Sequence, residues 1–151
     1  MRVGHFIATP SHQRTTMTDC VFCRLIEEDK EPLLANVLTA VLLDHKPASL
    51  GHALIVPRAH RVDISEMRAA ELADMMQIAQ RLTNFYDEVF QPDGYNLLMN
   101  VGRAAGQEVM HAHLHLIPRK QGDKLKLSAR KPSFDREDTD RFNDELRKRL
   151  A

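Results

Sequence analysis

Three histidines alternate with apolar residues in the segment MHAHLHLIPR, residues 110–119. On a β-strand, side chains two residues apart share a face and lie about 6.5 to 7 Å from each other. His111, His113 and His115 would therefore point to the same side of a strand. Imidazole titrates near neutral pH and serves as a nucleophile, an acid or base, or a metal ligand. Burial of three such rings for packing alone would risk unpartnered ring nitrogens, so the run predicts a functional site.

The spacing limits the chemistry that these histidines can support. His111 and His115 would lie roughly 13 Å apart on a regular strand, too far for one zinc ion with Zn–N distances of about 2.0 to 2.1 Å. A three-histidine metal site is therefore disfavoured. One His-x-His pair could still chelate a metal, and a lone buried histidine could be a hydrogen-bonded core residue.

The only two cysteines form a second motif, CVFC at residues 20–23. Their Cys-x-x-Cys spacing lets two thiolates, from Cys20 and Cys23, bind one tetrahedral metal ion. A reduced pair without metal is the alternative. A thioredoxin-like redox site is disfavoured because the usual strand-to-helix context is missing, and two cysteines do not make a disulfide framework.

Hydrophobic periodicity predicts the elements that position these motifs. A short helix capped by Asp19 would place Phe22, Leu25 and Ile26 on its inner face. Four β-rich runs pair as two antiparallel hairpins, with a long amphipathic helix between the hairpins and an amphipathic helix in the charged tail. These runs cover residues 36–44, 52–58, 95–102 and 109–118, the long helix runs from about Ser65 to Phe90, and the tail helix covers roughly residues 138–150.

Length and composition restrict the class of protein. The 151 residues, 43% hydrophobic, suit one domain with a single core. Lys plus Arg and Asp plus Glu number 21 each, so no global charge directs the chain to nucleic acid or an anionic membrane. No apolar run approaches the roughly 18 to 20 residues of a membrane helix, and no secretory signal is evident. We therefore expect a cytoplasmic protein without nucleic-acid or membrane partners.

The first sixteen residues contain no acidic residue and little periodicity. They predict a disordered extension at 1–16, with a single domain and its C-terminal tail at 17–151. Met17 is an alternative start. A transit peptide is disfavoured because the segment is short and weakly amphipathic.

The segment HAHLHLIP resembles the His-x-His-x-His-x-x signature of the histidine triad (HIT) superfamily of nucleotide-binding proteins. Three further segments stand in the order expected for that family, namely CVFC, VLLDHKPASLGHALIVPRAH and NVGRAAGQ. The resemblance covers about residues 19–120. It implies an α+β fold with a five-stranded antiparallel sheet and two main helices, paired as a homodimer through the long helix and an adjacent strand.

The same resemblance implies a reaction at the α-phosphorus of an AMP-like purine nucleotide. His113 would be the nucleophile, and hydrolysis of a nucleotidyl-histidine would complete the reaction without a catalytic metal or an organic cofactor. Stabilisation of the phosphate oxygens would come from His115, Asn100 and the backbone around Gly106 and Gln107. Gln107 could also touch the leaving group. Turn formation is the alternative role for Asn100 and Gly106.

Further positions match family residues that contact the rest of the nucleotide. Asp44 matches the acid that receives the ribose hydroxyls, and His52 matches a histidine near the site whose role could be to support the triad strand. His45 replaces a commonly aliphatic residue, which leaves the base preference open, and Glu108 replaces a small hydroxyl residue. The apolar wall for the base would come from Phe22, Leu25 and Leu42.

A bacterial branch of the superfamily also carries a structural zinc site, and all four of its ligand positions are present. They are Cys20, Cys23, His60 and His111. In this arrangement His111 would serve a Zn²⁺ ion, whereas His113 and His115 would face the substrate.

Three functions are compatible with these observations. The first is a nucleotide hydrolase or nucleotidyl transferase. Relatives that favour phosphoramidates end the triad strand in Gly-Gly and carry a Trp, whereas this chain has IPRK and no Trp, which favours a dinucleoside polyphosphate or another adenylated substrate. The second is a nucleotide-binding protein with vestigial catalysis. The third is a zinc-dependent hydrolase that uses the His-x-His pair directly.

Overall fold

The structure is a computed structural model that describes residues 19–28, 33–127 and 136–150. The predicted extension at residues 1–16 lies outside these ranges. The helices and strands are, in chain order, α1 (Val21–Glu28), β1 (Thr39–Leu43), β2 (Ala53–Pro57), α2 (Ala69–Val89), β3 (Gly94–Leu98), β4 (Leu114–Arg119) and α3 (Arg136–Leu150). This order confirms the predicted α+β class, the two main helices α1 and α2, and the helix in the tail.

The strands form one antiparallel sheet in the order β1-β2-β4-β3. The expectation of five strands was wrong for the described part of the chain, which has four. The segment before β1 makes only an isolated bridge between Ala35 and Ala40. It turns too soon to form a longer ladder, because the N–H of Asn36 already bonds to the carbonyl of Thr39 at 3.0 Å.

The predicted strand at 109–118 is also shorter than expected, since β4 begins only at Leu114. His111 and His113 therefore precede the strand, and the prediction of three histidines on one regular strand was wrong. The N–H of Ala112 donates to the carbonyl of Arg61 at 2.6 Å, away from the sheet. Only His115 is a member of the β-ladder.

The sheet separates two apolar layers because alternate residues of a strand point to opposite faces. The layer beneath α2 contains Val41, Ile55, Met75, Ile78, Leu82 and Leu116. The layer beneath α1 contains Cys20, Phe22, Cys23, Ala40, Leu42, Leu54 and Val56. His115 is the cross-strand partner of Leu54, and such partners share a face. The candidate site therefore lies on the α1 side.

Helix α2 begins at Ala69, later than predicted, because side chains before it stabilise a separate turn. Asp63 accepts a hydrogen bond from the N–H of Ser65 at 2.8 Å and starts a 3-10 turn. Glu71 then accepts one from the N–H of Arg68 at 2.8 Å, which satisfies a donor at the start of the helix. Within the described residues, neither α2 nor another helix combines the length and apolarity needed to cross a membrane.

Candidate active site and metal centre

The four predicted zinc ligands lie together at one end of α1. One ligand atom each from Cys20, Cys23, His60 and His111 lies within 4.8 Å of the others. The Sγ atom of Cys23 is 3.3 Å from Nδ1 of His60 and 3.5 Å from Nδ1 of His111, and Sγ of Cys20 is 3.4 Å from the same His111 atom. Sulfur and nitrogen ligands of one tetrahedral zinc ion lie about 3.5 Å apart, given its bond lengths. The cluster therefore has the dimensions of a zinc site.

The protonation states in this cluster also fit a metal centre. Nε2–H of His111 donates to the carbonyl of Pro57 at 2.8 Å, so its Nδ1 lone pair faces the thiols. Burial lowers the pKa of His111 to about 4, and the ring stays neutral near pH 7. Burial, followed by the hydrogen bond with Cys20, raises the pKa of Cys23 to about 11. A bound cation would offset this cost of thiolate formation, so two thiols and two imidazoles fit Zn²⁺.

His113 lies next to this cluster and is oriented by the backbone. Its Nδ1–H donates to the carbonyl of His111 at 2.7 Å, which leaves the lone pair on Nε2. The ring is 6% exposed and lies between Phe22, with ring centroids 5.2 Å apart, and His115, with centroids 4.9 Å apart. The unprotonated nitrogen needed for a nucleophile is thus the one that makes no hydrogen bond within residues 19–28, 33–127 and 136–150.

His52 and His115 form a second oriented pair. The N–H of Ala48 donates to Nδ1 of His52 at 3.1 Å, so the proton of a neutral His52 is on Nε2. That atom lies 2.9 Å from Nδ1 of His115, which must accept, and His115 then carries its own proton on Nε2. Burial, and then repulsion from His113 and His52, lowers the pKa of His115 to about 4. Burial also lowers the pKa of His52, against the attraction of Asp44.

Asp44 follows β1 and lies beside this pair, where the sequence predicted a ribose contact. Its Oδ2 is 3.6 Å from Nδ1 of His52, and its side chain is 16% exposed. Its Oδ1 accepts a hydrogen bond from the N–H of Lys46 at 2.8 Å. Neighbouring His45 is 87% exposed. The carboxylate is held in position by the backbone yet remains accessible.

The loop that precedes the triad is closed by its own hydrogen bonds. Gly106 adopts a left-handed conformation with φ of 88°, and its carbonyl accepts from Nδ2 of Asn100 at 3.3 Å. Its N–H donates to Arg103, and the N–H of Gln107 donates to Gly102. In this conformation both N–H groups are committed within the loop, so their donation to a phosphate stays a prediction.

The polar side-chain atoms of Gln107 are also occupied by hydrogen bonds within the protein. It is 2% exposed, its Nε2 donates to the carbonyls of Val62 at 2.7 Å and Val109 at 3.1 Å, and its Oε1 accepts from Gly102. Contact with a leaving group would require these bonds to break, so its catalytic role also stays a prediction. In this structure the hydrogen bonds of Gln107 connect the loop to the segment after β2.

Two of the three residues predicted for the base wall are buried together on the α1 side. Phe22 is 7% exposed and Leu42 is 8% exposed. Leu25 is 41% exposed, so its assignment to the inner face of α1 was wrong. Ile26, four residues after Phe22, packs against this layer instead.

Sequence reasoning missed two residues that hold the triad segment. Arg61 binds Ala112 through its carbonyl, and its guanidinium pairs with Glu71, which is 1% exposed. A glutamate in the first turn of a helix is common, so no local pattern marked it as buried. Its burial is a tertiary property.

Two cavities in the described part of the chain lie away from the histidines. Cavities of about 340 and 320 Å³ share Arg119 and Lys120 in their walls, at the end of β4 opposite His113. The candidate site is therefore identified by its chemistry and not by its volume.

Comparison with known proteins gives a consistent family match. The HIT domain matches residues 26–122. The chain is 36% identical to the adenylylsulfatase HINT3 of Arabidopsis thaliana over 74% of this chain, although the match spans only 57% of that protein. It is 33% identical to an adenosine 5'-monophosphoramidase of Schizosaccharomyces pombe, over 76% of this chain and 84% of that protein.

A solved zinc-bound structure shares the fold of this chain. A zinc-bound histidine triad family protein from Mycobacterium smegmatis superposes with a TM-score of 0.68 and 35% identity, over 83% of this chain and 91% of that chain.

Proposed function

Because the chain belongs to the HIT family, we propose that it is a nucleotide hydrolase that cleaves an AMP-linked substrate at the α-phosphorus. The family assignment follows from the domain match over residues 26–122. Two relatives are named as an adenylylsulfatase and an adenosine 5'-monophosphoramidase, and both names denote cleavage of an adenylyl compound. Nucleotidyl transfer to an acceptor other than water uses the same first step.

One observation carries the proposal. The Nδ1–H of His113 is held by the carbonyl of His111 at 2.7 Å, so the neutral ring carries its lone pair on Nε2. A neutral imidazole is an effective nucleophile near pH 7. Within the described residues no hydrogen bond occupies this nitrogen, which leaves it available to a substrate.

The reaction then proceeds in two displacements. Nε2 of His113 attacks the α-phosphorus, a P–N bond forms, and the bond to the leaving group breaks. The leaving group departs with the electron pair and takes a proton from solvent. Water next attacks the phosphorus of the adenylated His113, a P–O bond forms as the P–N bond breaks, and the proton lost by the water goes to solvent as AMP is released. The imidazole regains its lone pair, so the cycle balances.

Neighbouring side chains would bind the nucleotide during these steps. His115 offers an Nε2–H to a non-bridging phosphate oxygen, a donor in place before charge develops. Asp44 offers a carboxylate to the ribose hydroxyls. Phe22 and Leu42 would supply apolar contacts for the base. Asn100 is the further polar candidate near the phosphate.

We assign zinc a structural role in this scheme. Cys20, Cys23, His60 and His111 would hold the ion, which supplies a cross-link between α1, the segment after β2 and the triad segment. Such a centre stabilises the fold and takes no part in bond cleavage.

A homodimer is part of the proposal and is supported by an apolar surface. The Tyr95 hydroxyl of β3 donates to the carbonyl of Thr83 on α2 at 3.1 Å, so this flank of α2 borders β3. On the same flank Met76, two turns before Thr83, is 53% exposed, and Leu97 of β3 is 44% exposed. In the described sheet β3 also has an unpaired edge. A second copy would cover these side chains and extend the sheet.

A dinucleoside polyphosphate is the second candidate substrate. The triad strand continues as Pro118, Arg119 and Lys120 in place of Gly-Gly, and the chain has no Trp. The two substrate classes differ only in the leaving group, so the same His113 intermediate serves both.

Phosphorus NMR with wild type and His113→Asn tests the proposal. Adenosine phosphoramidate, adenylyl sulfate and diadenosine polyphosphate are offered with and without a chelator. We expect wild type alone to release AMP and to form an alkali-stable adenylyl adduct on His113. Failure of all three substrates, with AMP still raising the melting temperature, would replace this proposal with nucleotide binding alone. Loss of turnover in chelator without loss of fold would favour the zinc-dependent hydrolase.

A further inference from the structure

A buried carboxylate on α2 is connected to the triad segment by a short series of contacts. Glu71 is 1% exposed, and the Arg61 guanidinium binds it through two nitrogens at 3.0 and 2.9 Å. The N–H and guanidinium of Arg68 donate to the same carboxylate at 2.8 and 3.0 Å. The hydrogen bonds from Arg61 hold the pKa of Glu71 near 2, so the carboxylate is ionised at neutral pH.

Residues 60–62 each contact a different part of the candidate site. Nδ1 of His60 is 3.3 Å from Sγ of Cys23 in the metal cluster. The carbonyl of Arg61 accepts from the N–H of Ala112 at 2.6 Å. The carbonyl of Val62 accepts from Nε2 of Gln107 at 2.7 Å. A displacement of this segment therefore reaches the metal ligands, the triad and the preceding loop together.

The contact at Ala112 is the one closest to the chemistry. Ala112 lies between His111 and His113, and its N–H is bonded to Arg61 outside the β-sheet. The same stretch of backbone presents the His111 carbonyl that holds Nδ1–H of His113 at 2.7 Å. The carbonyl of Arg61 thus restrains the same peptide unit whose carbonyl, that of His111, sets the tautomer of the nucleophile.

We propose that the ion pair between Glu71 and Arg61 positions His113 through the Arg61 carbonyl. Both are positioning residues for the reaction, and neither touches the substrate. This inference rests on the proposed function for its kinetic test only. Its structural content, that the pair fixes the backbone at Ala112 and the tautomer of His113, holds in the free protein.

The main variant is Glu71→Gln, which keeps the shape of the side chain and removes its charge. Arg61, at 26% side-chain exposure, then loses the anion to which it is hydrogen-bonded, and water can solvate it. Small misplacements of a reacting group cost up to about a hundredfold in rate. We expect kcat to fall about tenfold or more and KM to change less than about threefold.

Arg68→Gln is the matched control. Arg68 binds the same carboxylate through its guanidinium but is 63% exposed, and its own N–H contact to Glu71 is retained in the variant. In the part of the chain that the structure describes, no hydrogen bond or ion pair joins its side chain to the triad segment. We expect this variant to keep the wild-type kcat.

Arg61→Lys is the second test variant. It keeps a cation beside Glu71 but cannot make the two hydrogen bonds of the guanidinium, and it replaces Glu71→Gln if that variant does not fold.

Nitrogen NMR of the imidazoles and the Ala112 amide signal provide a test that does not need turnover. In Glu71→Gln or Arg61→Lys we expect a shifted Ala112 amide and a mixture of tautomers at His113, with zinc content and the AMP-induced thermal shift retained. A lower melting temperature with unchanged kcat, amide signal and tautomer would overturn the proposal. So would a loss of kcat that added zinc restores, since the pair would then act on the metal cluster.

The two hypotheses can fail separately. If wild type cleaves no substrate, the proposed function fails, and the tautomer and amide of the free protein still decide the positioning role. If wild type is active and the two variants match Arg68→Gln in rate and spectrum, the positioning role fails alone.

Discussion

Nε2 of His52 lies 2.9 Å from Nδ1 of His115, and this contact sets the direction of the His115 proton. His52 must donate, because the N–H of Ala48 already occupies its Nδ1 at 3.1 Å. His115 must then carry its proton on Nε2. A backbone amide in the turn before β2 thus decides which atom of His115 can donate to a phosphate.

Removal of the His52 donor should impair catalysis. In His52→Phe the ring shape is largely kept, but Nδ1 of His115 has no donor and both tautomers become accessible. We expect kcat to fall at least about tenfold, within the range for loss of an oriented acid or base. His52→Gln retains an N–H donor and should lose less. Steady-state rates of both variants provide the check, and equal losses would refute the tautomer argument.

Acidification should destabilise the protein through His115. Its pKa is lowered to about 4, mainly by burial, whereas an unfolded histidine titrates near pH 6.5. Between these values the unfolded state binds more protons, so the free energy of unfolding falls as pH falls. Above about pH 6.5 the neutral His115 ring makes its full contribution to the free energy of unfolding. Below about pH 4 that contribution is lost completely.

Denaturant unfolding of wild type and His115→Gln, both loaded with zinc, measures this contribution. We expect a shallower fall in stability for the variant between about pH 6.5 and pH 4. The contribution of His111 is common to both proteins and cancels in the difference. Parallel curves would show that His115 titrates normally in the folded state.

Zinc removal should act on stability before activity. Cys23→Ser loses a thiolate ligand of the cluster, whose atoms lie within 4.8 Å of one another. We expect reduced zinc content and a free energy of unfolding lower by more than about 2 kcal/mol, as for other losses of a structural metal. Metal analysis and denaturant titration test this. A variant of unchanged stability that has lost all turnover would indicate a catalytic metal instead.

The homodimer can be tested by substitutions that introduce a charge on the apolar surface shared by α2 and β3. Met76→Glu or Leu97→Glu would bury a carboxylate in the proposed interface, which is strongly unfavourable, and should yield monomers in light scattering. Phe85→Glu is the matched control. Phe85 is 46% exposed but lines a groove with Leu33 and Leu34 on the other flank. Dimers in all three variants would place the interface elsewhere.

The grouping of four candidate metal ligands was predicted correctly, whereas the backbone of the triad was not. The resemblance to a branch of the HIT superfamily implied the set Cys20, Cys23, His60 and His111, and the structure brings these four residues together. The start of β4 was missed because it depends on the bond between Ala112 and the Arg61 carbonyl.

Other departures have the same physical origin. The fifth strand was not found because Asn36 turns the chain back to Thr39 at 3.0 Å. The contact of Gln107 with Val62 joins residues 45 positions apart, and the burial of Glu71 depends on how α2 packs in the fold. Such contacts are set by tertiary packing, which hydrophobic periodicity does not record.

The separation of the site residues along the chain also has a consequence for synthesis. Cys20 and His111 are 91 positions apart. Strand β2 can pair with β4 only after α2 and β3 have been synthesised, because both precede β4 in the chain. Contacts of this range form late because long loops must close first. A nascent chain that ends before His111 therefore presents two thiols without their second imidazole and an open edge on β2. Both are exposed to oxidants and to other chains until the last strand leaves the ribosome.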